Sequence, residues 1–204
     1  MAVGSTTDIA EHVSDRRRAK QFESAIRQLD WPGLFDLYCQ IEARETPGWP
    51  SGRAFEYLVL RAFELDGAHV EYPFRVTEGR ETLEEIDGAF YLDGRAHLVE
   101  SKDRDANVQI APIAKLRNQL LRRPAGVVGI VFGRNGFSSP ARTLASYGAP
   151  QAILLWEGEK VKWLLGQCRQ GEAEARLFAK ALELKYRHYV ERAIPTLDVK
   201  EAMA

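Results

Sequence analysis

The order of apolar and polar positions divides the chain into helical ends and a central region of strands and helices. Residues 8 to about 45 are charged, with sparse apolar positions and Pro32 in an early turn, and indicate helices. A loop rich in proline and glycine, residues 46–52, then interrupts regular structure. The amphipathic pattern of residues 172–194 predicts a long closing helix. We therefore expect an N-terminal helical extension at 1–50, a core at 51–170, and a C-terminal helix and tail at 171–204.

The core begins with an amphipathic helix, because Phe55, Leu58, Val59, Ala62 and Phe63 recur with helical spacing. The order of elements that follows, three strands, a helix and a strand, predicts an α/β fold of the α+β type, with helices flanking a mixed sheet. The predicted elements are a strand at 68–76, a hairpin of strands at 89–92 and 96–99, a helix at 107–123, a strand at 126–132, a helix opened by Ser139 and Pro140, and one more strand or hairpin formed by QAILLW and KVKWLL around EGEK.

The predicted hairpin carries charge where a strand is expected to be apolar. Asp93-Gly94 between two apolar runs predicts a two-residue type I′ turn, which pairs Leu92 with Arg95. Counting outward from that pair sets Asp87 opposite Glu100, and directly opposed like charges are destabilising. Two carboxylates about 5 Å apart repel by roughly 3 kcal/mol at an effective dielectric of about 20. We therefore expect that Asp87 and Glu100 are present for a reason other than the stability of the hairpin.

A divalent cation would relieve this repulsion. Lys102 lies two residues after Glu100 on the same face of the strand, and Glu56 projects from the first core helix as a possible third carboxylate. Carboxylates completed by water and substrate phosphate are typical of a Mg²⁺ site, and a nearby lysine can orient the attacking water. The pattern predicts metal-assisted phosphodiester hydrolysis. A surface salt bridge of Lys102 is the structural alternative, but it leaves the opposed carboxylates unexplained.

The Glu-x-Lys triplet alone is not specific, because related triplets occur at 183–185 and 198–200. We expect the first in a helix, where residues i and i+2 do not face each other, and the second in a frayed tail.

Composition excludes several classes of function. The net charge of −1 indicates that any nucleic-acid contact must come from local patches. Cys39 and Cys168 have no zinc-ligand spacing, and we expect neither zinc nor a disulfide. No apolar run approaches the roughly 20 residues needed to cross a bilayer, and no secretory signal begins the sequence, so we expect a cytoplasmic protein without membrane contact.

The combination of Asp87, VESK at residues 99–102, the preceding helix with Glu56 and the following GVVGIVF strand resembles the PD-(D/E)xK nuclease superfamily. Residues 52–148 are most similar to its Mrr-type restriction endonuclease branch. Ile86 stands where the superfamily name has proline.

The resemblance implies a restriction-endonuclease-like fold with an αβββαβ core, dependence on Mg²⁺ or Mn²⁺, and cleavage of DNA. Asp87 and Glu100 would be metal ligands, Lys102 the catalytic lysine, and Glu56 an additional acidic ligand. It also implies that Gln119 touches the site or the phosphate, while exposure to solvent is the alternative. We expect an endonuclease of restriction or defence type. A structure-specific repair nuclease or Holliday junction resolvase, and a nucleic-acid-binding protein that has lost cleavage, are the alternatives, although intact Asp87, Glu100 and Lys102 argue against the last.

Basic side chains near the predicted site suggest a surface for DNA phosphates. Cleavage of both strands with one site per chain favours a homodimer, and apolar positions of the closing helix are candidates for its interface. The expected DNA-binding residues are Lys115, Arg117, Arg122, Arg123 and Arg134. The interface candidates are Leu177, Ala181, Leu184, Tyr186 and Val190. The run at residues 16–18 is more typical of a solvated helix face than of a phosphate contact.

Overall fold

A computed structural model of the protein describes residues 6–79, 81–146, 151–171 and 176–193. The helices are α1 Thr6–Arg27, α2 Trp31–Ala43, α3 Arg53–Leu65, α4 Ile110–Leu120, α5 Ser139–Ser146, α6 Gly158–Arg169 and α7 Leu177–Ala193. The strands are β1 His69–Glu71, β2 Phe74–Glu78, β3 Glu81–Ile86, β4 Gly88–Leu92, β5 Arg95–Lys102, β6 Val128–Gly133 and β7 Ile153–Glu157.

A five-stranded mixed sheet lies at the centre, in the order β1-β4-β5-β6-β7. Strand β4 pairs antiparallel with both β1 and β5, whereas β6 pairs in parallel with both β5 and β7. A helix connects β5 to β6, as a parallel crossover requires. The order α3, β1, β4, β5, α4, β6 confirms the predicted mixed sheet with an αβββαβ core.

Helices cover both faces of this sheet and bury two apolar clusters. One face packs against α2, α3, α6 and α7 through residues such as Phe63, Phe90 and Trp156. The other face packs against α4 and α5 through residues such as Leu116 and Val131. Strand β6 is buried along its whole length because it lies between two strands and between two helical layers. The sheet is therefore a rigid support for side chains at its strand ends.

The predicted strand at residues 68–76 is in fact two strands in two different sheets. Pro73 separates β1 from β2, since proline has no N–H to continue a sheet ladder. Strand β2 pairs with β3 in a separate two-stranded ribbon, which is inserted between β1 and β4 of the core. The sequence pattern does not predict β3, because its residues are mostly exposed.

The prediction of a strand for KVKWLL is wrong, because these residues belong to helix α6. Val161, Leu164, Leu165 and Cys168 are buried with spacing typical of a helix, and they face α2 and the sheet. The preceding QAILLW contributes strand β7, as predicted.

The terminal helices pack onto the core. Leu34 and Tyr38 of α2 are buried with α3 and α6, and Phe178 of α7 stacks on Trp31 and Trp156. The triplet at 183–185 lies in α7, as predicted, whereas residues 194–204, with the triplet at 198–200, lie outside the described residues. None of the helices described is long and apolar enough to span a bilayer.

Candidate active site

The β4–β5 hairpin has the predicted turn and register. Leu92 pairs with Arg95 and Gly88 with Val99, and Asp93 and Gly94 both have positive φ angles, 48° and 77°. Positive φ at both central residues is the requirement of a type I′ turn. The ladder ends at Gly88, one pair before the predicted pair of Asp87 and Glu100, because residues 81–86 belong to the other sheet.

Asp87 lies at the junction between the two sheets and is fixed by the backbone of β5. Its Oδ2 accepts a hydrogen bond from the Ser101 N–H at 2.6 Å. The next residue, Gly88, has no space for a side chain, since an added Cβ would lie 2.4 Å from Leu60 Cδ1. Helix α3 therefore packs directly on the backbone beside Asp87, and the carboxylate is held at the end of β5 where Glu100 and Lys102 are located.

Glu100 is the most buried carboxylate of the cluster, with 1% of its side chain exposed. One of its oxygens, Oε1, forms an ion pair with Lys102, and Oε2 lies 2.9 Å from the Nζ of Lys115 on α4. Lys102 Nζ also donates to the Ser101 carbonyl at 3.0 Å. Both oxygens of Glu100 are therefore compensated by ammonium groups, as a buried charge requires.

Glu56 approaches the cluster from the first turn of α3. Its Oε2 accepts a hydrogen bond from Arg53 Nη1 at 2.7 Å, and its side chain is 16% exposed. Burial and then the charge of Asp87 raise the pKa of Glu56 to about 7. Burial and then the charge of Glu100 raise the pKa of Asp87 to about 6, although Lys102 and the Ser101 N–H oppose this. The charge of Asp87 thus acts on Glu56, and the charge of Glu100 acts on Asp87.

The donor set suits a hard divalent cation, because burial and a neighbouring carboxylate disfavour the charged forms of Glu56 and Asp87, and oxygen ligands are those that Mg²⁺ prefers. Within the described ranges, however, no group of three or more His, Cys, Asp or Glu side chains is close enough to hold a metal ion as arranged. In this arrangement both oxygens of Glu100 have an ammonium partner instead.

Most of the basic residues predicted to contact DNA are engaged in ion pairs. Arg122 and Arg123 both pair with Glu84 of β3 and so attach the β2–β3 ribbon to the end of α4. Arg117 is half-buried on α4, and Lys115 lies at Glu100.

Arg134 is buried, with 8% of its side chain exposed, and pairs with Asp103 at 2.6 Å and Asp105 at 2.5 Å. The same two aspartates also bind Arg44, at the C-terminal end of α2. This cluster closes one wall of a cleft of about 680 Å³, which lies between the loop after α2 and Asp103. The ion pairs of Arg44 thus connect the segment after Lys102 to α2, and those of Arg134 connect the same segment to the end of β6.

Gln119 is buried rather than exposed to solvent, and its Oε1 has no hydrogen-bond partner in the described part of the protein. It lies one helical turn after Lys115, on the same side of α4.

In the run at residues 16–18, Arg17 and Arg18 are exposed, and the side chain of Arg16 lies outside the described set.

Sequence reasoning missed three contributors, the Ser101 N–H and Arg53 at the acidic cluster, and Arg44 at Asp103 and Asp105. The first is a backbone group, which carries no signal in the sequence. Arg53 precedes Glu56 by three residues, a helical spacing that could have indicated the pair. Arg44 is 59 residues from Asp103, so only the packing of α2 brings them together.

Comparison with known proteins decides the family. A model of the Mrr catalytic domain, described as restriction endonuclease, matches residues 50–165. The chain belongs to this restriction endonuclease family. The matched segment contains Glu56, Asp87, Glu100 and Lys102. The mixed sheet with its αβββαβ core is accordingly the restriction-endonuclease-like fold that the sequence predicts, with the β2–β3 ribbon as an insertion.

Two solved structures are similar to parts of the chain. A protein of unknown function, AF1548, is 19% identical, with a TM-score of 0.43 over 55% of this chain and 65% of its own length. The MspJI restriction endonuclease, solved in complex with a 27-mer oligonucleotide, is 18% identical, with a TM-score of 0.40 over 72% of this chain and 33% of its own. No curated protein matches the chain.

Proposed function

We propose that the protein is a divalent-metal-dependent DNA endonuclease of restriction type, with Asp87, Glu100 and Lys102 as its catalytic residues. The observation that carries this proposal is the position of the three side chains. They lie where β4 begins and β5 ends, within the segment that matches the restriction endonuclease family. A stable hairpin has no need of two carboxylates at this point, and the raised pKa of Asp87 reflects the electrostatic cost.

In this proposal Asp87 and Glu100 hold Mg²⁺, or Mn²⁺ in its place, and Glu56 is a third acidic ligand. The bound cation would polarise the scissile phosphate and lower the pKa of a coordinated water. Asp87 is well suited to the role of ligand, because the Ser101 N–H fixes one oxygen and leaves the other available.

Lys102 is the proposed catalytic lysine. Its ammonium is held between Glu100 and the Ser101 carbonyl, with 21% of the side chain exposed, so it is positioned but still accessible to substrate. From this position it can orient the attacking water and stabilise negative charge that develops on the phosphate. A compact ammonium on a flexible stem suits both tasks.

DNA contact is proposed for the end of α4 and its surroundings. Lys115 and Arg117 lie on the helix that follows the catalytic strand. Arg122, Arg123 and Arg134 remain candidates, but phosphate contact would require them to share or exchange their present carboxylate partners. The amide oxygen of Gln119 has no hydrogen-bond partner among the described residues, and Gln119 is proposed to support the site from α4.

The decisive experiment is to incubate the purified protein with plasmid and linear DNA in Mg²⁺ or Mn²⁺ and, in parallel, in EDTA. We expect cleavage only with the cation, and loss of at least about 100-fold in rate for Asp87→Ala and for Lys102→Ala. Glu81→Ala is the matched control, since Glu81 is an exposed carboxylate on the ribbon. Cleavage in EDTA, or cleavage untouched by the first two substitutions, would refute the mechanism.

Branched and methylated DNA in the same assay distinguish a restriction endonuclease from a repair nuclease or a junction resolvase. Preference for a four-way junction over linear duplex by more than about tenfold would favour the resolvase. Binding of DNA without cleavage under all conditions would favour a nucleic-acid-binding protein.

A homodimer is part of the proposal, because one site per chain must cut two strands. Leu177, Ala181 and Tyr186 pack against the core, whereas Leu184 and Val190 of α7 are exposed and available for a partner. The mass in solution, measured by light scattering with and without DNA, tests this part. A cytoplasmic location remains a prediction from the sequence.

A further inference from the structure

We infer that Lys115 is a built-in competitor of the metal, an ammonium that occupies one oxygen of Glu100 until a divalent cation displaces it. This inference rests on the proposed function, and it concerns how the site is regulated rather than which reaction it performs. The observation behind it is the arrangement of two ammonium groups on one buried carboxylate, with Lys102 on Oε1 and Lys115 on Oε2 at 2.9 Å.

The two lysines differ in how readily they can leave Glu100. Lys102 extends from the same strand, 21% of its side chain is exposed, and its Nζ has a second bond to the Ser101 carbonyl. Lys115 comes from α4, and its side chain is 50% exposed. Displaced by a cation, Lys115 returns to water without loss of a backbone hydrogen bond, whereas displacement of Lys102 would also break its bond to Ser101.

The formal charges of the cluster also favour displacement of Lys115 when a divalent cation binds. Three carboxylates, Glu56, Asp87 and Glu100, face three cationic groups, Arg53, Lys102 and Lys115. Without metal the cluster is therefore close to neutral when all six groups are charged. A divalent cation adds two positive charges, and departure of Lys115 takes away the positive charge of its ammonium. The net charge of the cluster is then about +1. The phosphodiester of a substrate would then balance the remaining excess, so the site favours metal and phosphate together.

The test measures cation affinity directly, by calorimetric titration of the full-length protein with Mn²⁺ in the absence of DNA. Lys115→Gln removes the competing charge and is expected to tighten Mn²⁺ binding about tenfold, the factor that corresponds to one charge-assisted hydrogen bond. Lys115→Arg retains a cation on α4 and is expected to bind Mn²⁺ within about threefold of the wild-type protein. Arg104→Gln removes an exposed positive charge two residues after Lys102 and controls for general electrostatics, with an expected change below about twofold.

The Mg²⁺ concentration for half-maximal cleavage is a second readout, and it should fall in Lys115→Gln together with the Mn²⁺ dissociation constant. Equal or weaker Mn²⁺ binding by folded Lys115→Gln would overturn the inference, while metal binding and cleavage by the wild-type protein would leave the proposed function intact. If the wild-type protein neither binds a cation nor cleaves DNA, the proposed function fails and the inference fails with it. Circular dichroism and thermal unfolding in EDTA verify that each variant is folded.

Discussion

Replacement of Asp87 by asparagine should stabilise the metal-free protein at neutral pH while it abolishes cleavage. Asparagine has nearly the shape of aspartate and retains an oxygen that can accept the hydrogen bond from the Ser101 N–H. The substitution removes a negative charge that burial and Glu100 disfavour. A residue retained at a cost to stability is typical of a functional site.

The size of the effect follows from the pKa of Asp87, which is raised in the folded protein from its usual 3.8 to about 6. Between these two values the folded state binds more protons than the unfolded state, so the free energy of unfolding falls as the pH rises. Each pKa unit corresponds to about 1.4 kcal/mol, which amounts to about 3 kcal/mol across this range. At pH 8 Asp87→Asn should therefore be more stable than wild type by on the order of 2–3 kcal/mol, and at pH 4 the difference should be small.

Urea unfolding in EDTA at pH 4, 6 and 8 measures this difference, and Glu81→Gln serves as the control for removal of an exposed carboxylate. Addition of Mg²⁺ at pH 8 should raise the melting temperature of the wild-type protein more than that of Asp87→Asn, because the variant has lost a ligand. Lower stability of Asp87→Asn than of wild type at pH 8 would contradict a raised pKa of Asp87. An equal gain in stability at pH 4 and at pH 8 would contradict it as well.

Two further predictions concern the framework around the site. Gly88→Ala should lower the free energy of unfolding by about 1–3 kcal/mol, because the new Cβ would lie 2.4 Å from Leu60 Cδ1 and 3.1 Å from the Glu71 carbonyl oxygen. Gly166→Ala is its control in α6, where the nearest atom is 3.5 Å away, and urea unfolding should show no loss of stability. Arg134→Gln should cost about 3 kcal/mol, because it removes a buried partner of Asp103, whereas exposed Arg104→Gln should change stability by less than about 0.5 kcal/mol. Equal stability of the two arginine variants in thermal and urea unfolding would contradict the structural role of Arg134.

Local sequence patterns predict an element correctly wherever the residues that determine its structure are neighbours along the chain. The Asp93-Gly94 turn and the alternation around it predicted the register of β4 and β5, because a two-residue turn leaves one way to pair the flanking strands. The apolar spacing of residues 55–63 likewise predicted α3. The αβββαβ order followed from such elements taken in sequence.

Local patterns were misleading where a short apolar run fits both a strand and a helix. The pattern of KVKWLL predicts a strand, but these residues form a helix that is buried against α2 and the sheet. The ribbon of β2 and β3 was missed for a related reason. Its strands are largely exposed, so their sequence has little of the alternation that indicates a buried face.

The turn and the period of one strand can be read from the sequence and place Glu100 and Lys102 at the open end of the hairpin, whereas Asp87 precedes the paired residues and is held by the Ser101 N–H. Packing alone determines which cations meet these acids and which pair elsewhere. Lys115 reaches Glu100, Arg122 and Arg123 bind Glu84, and Arg134 is buried with Asp103. These partners depend on how α4 and the ribbon pack against the sheet. Long charged side chains pair with whatever the packing brings within reach, and sequence spacing does not encode that.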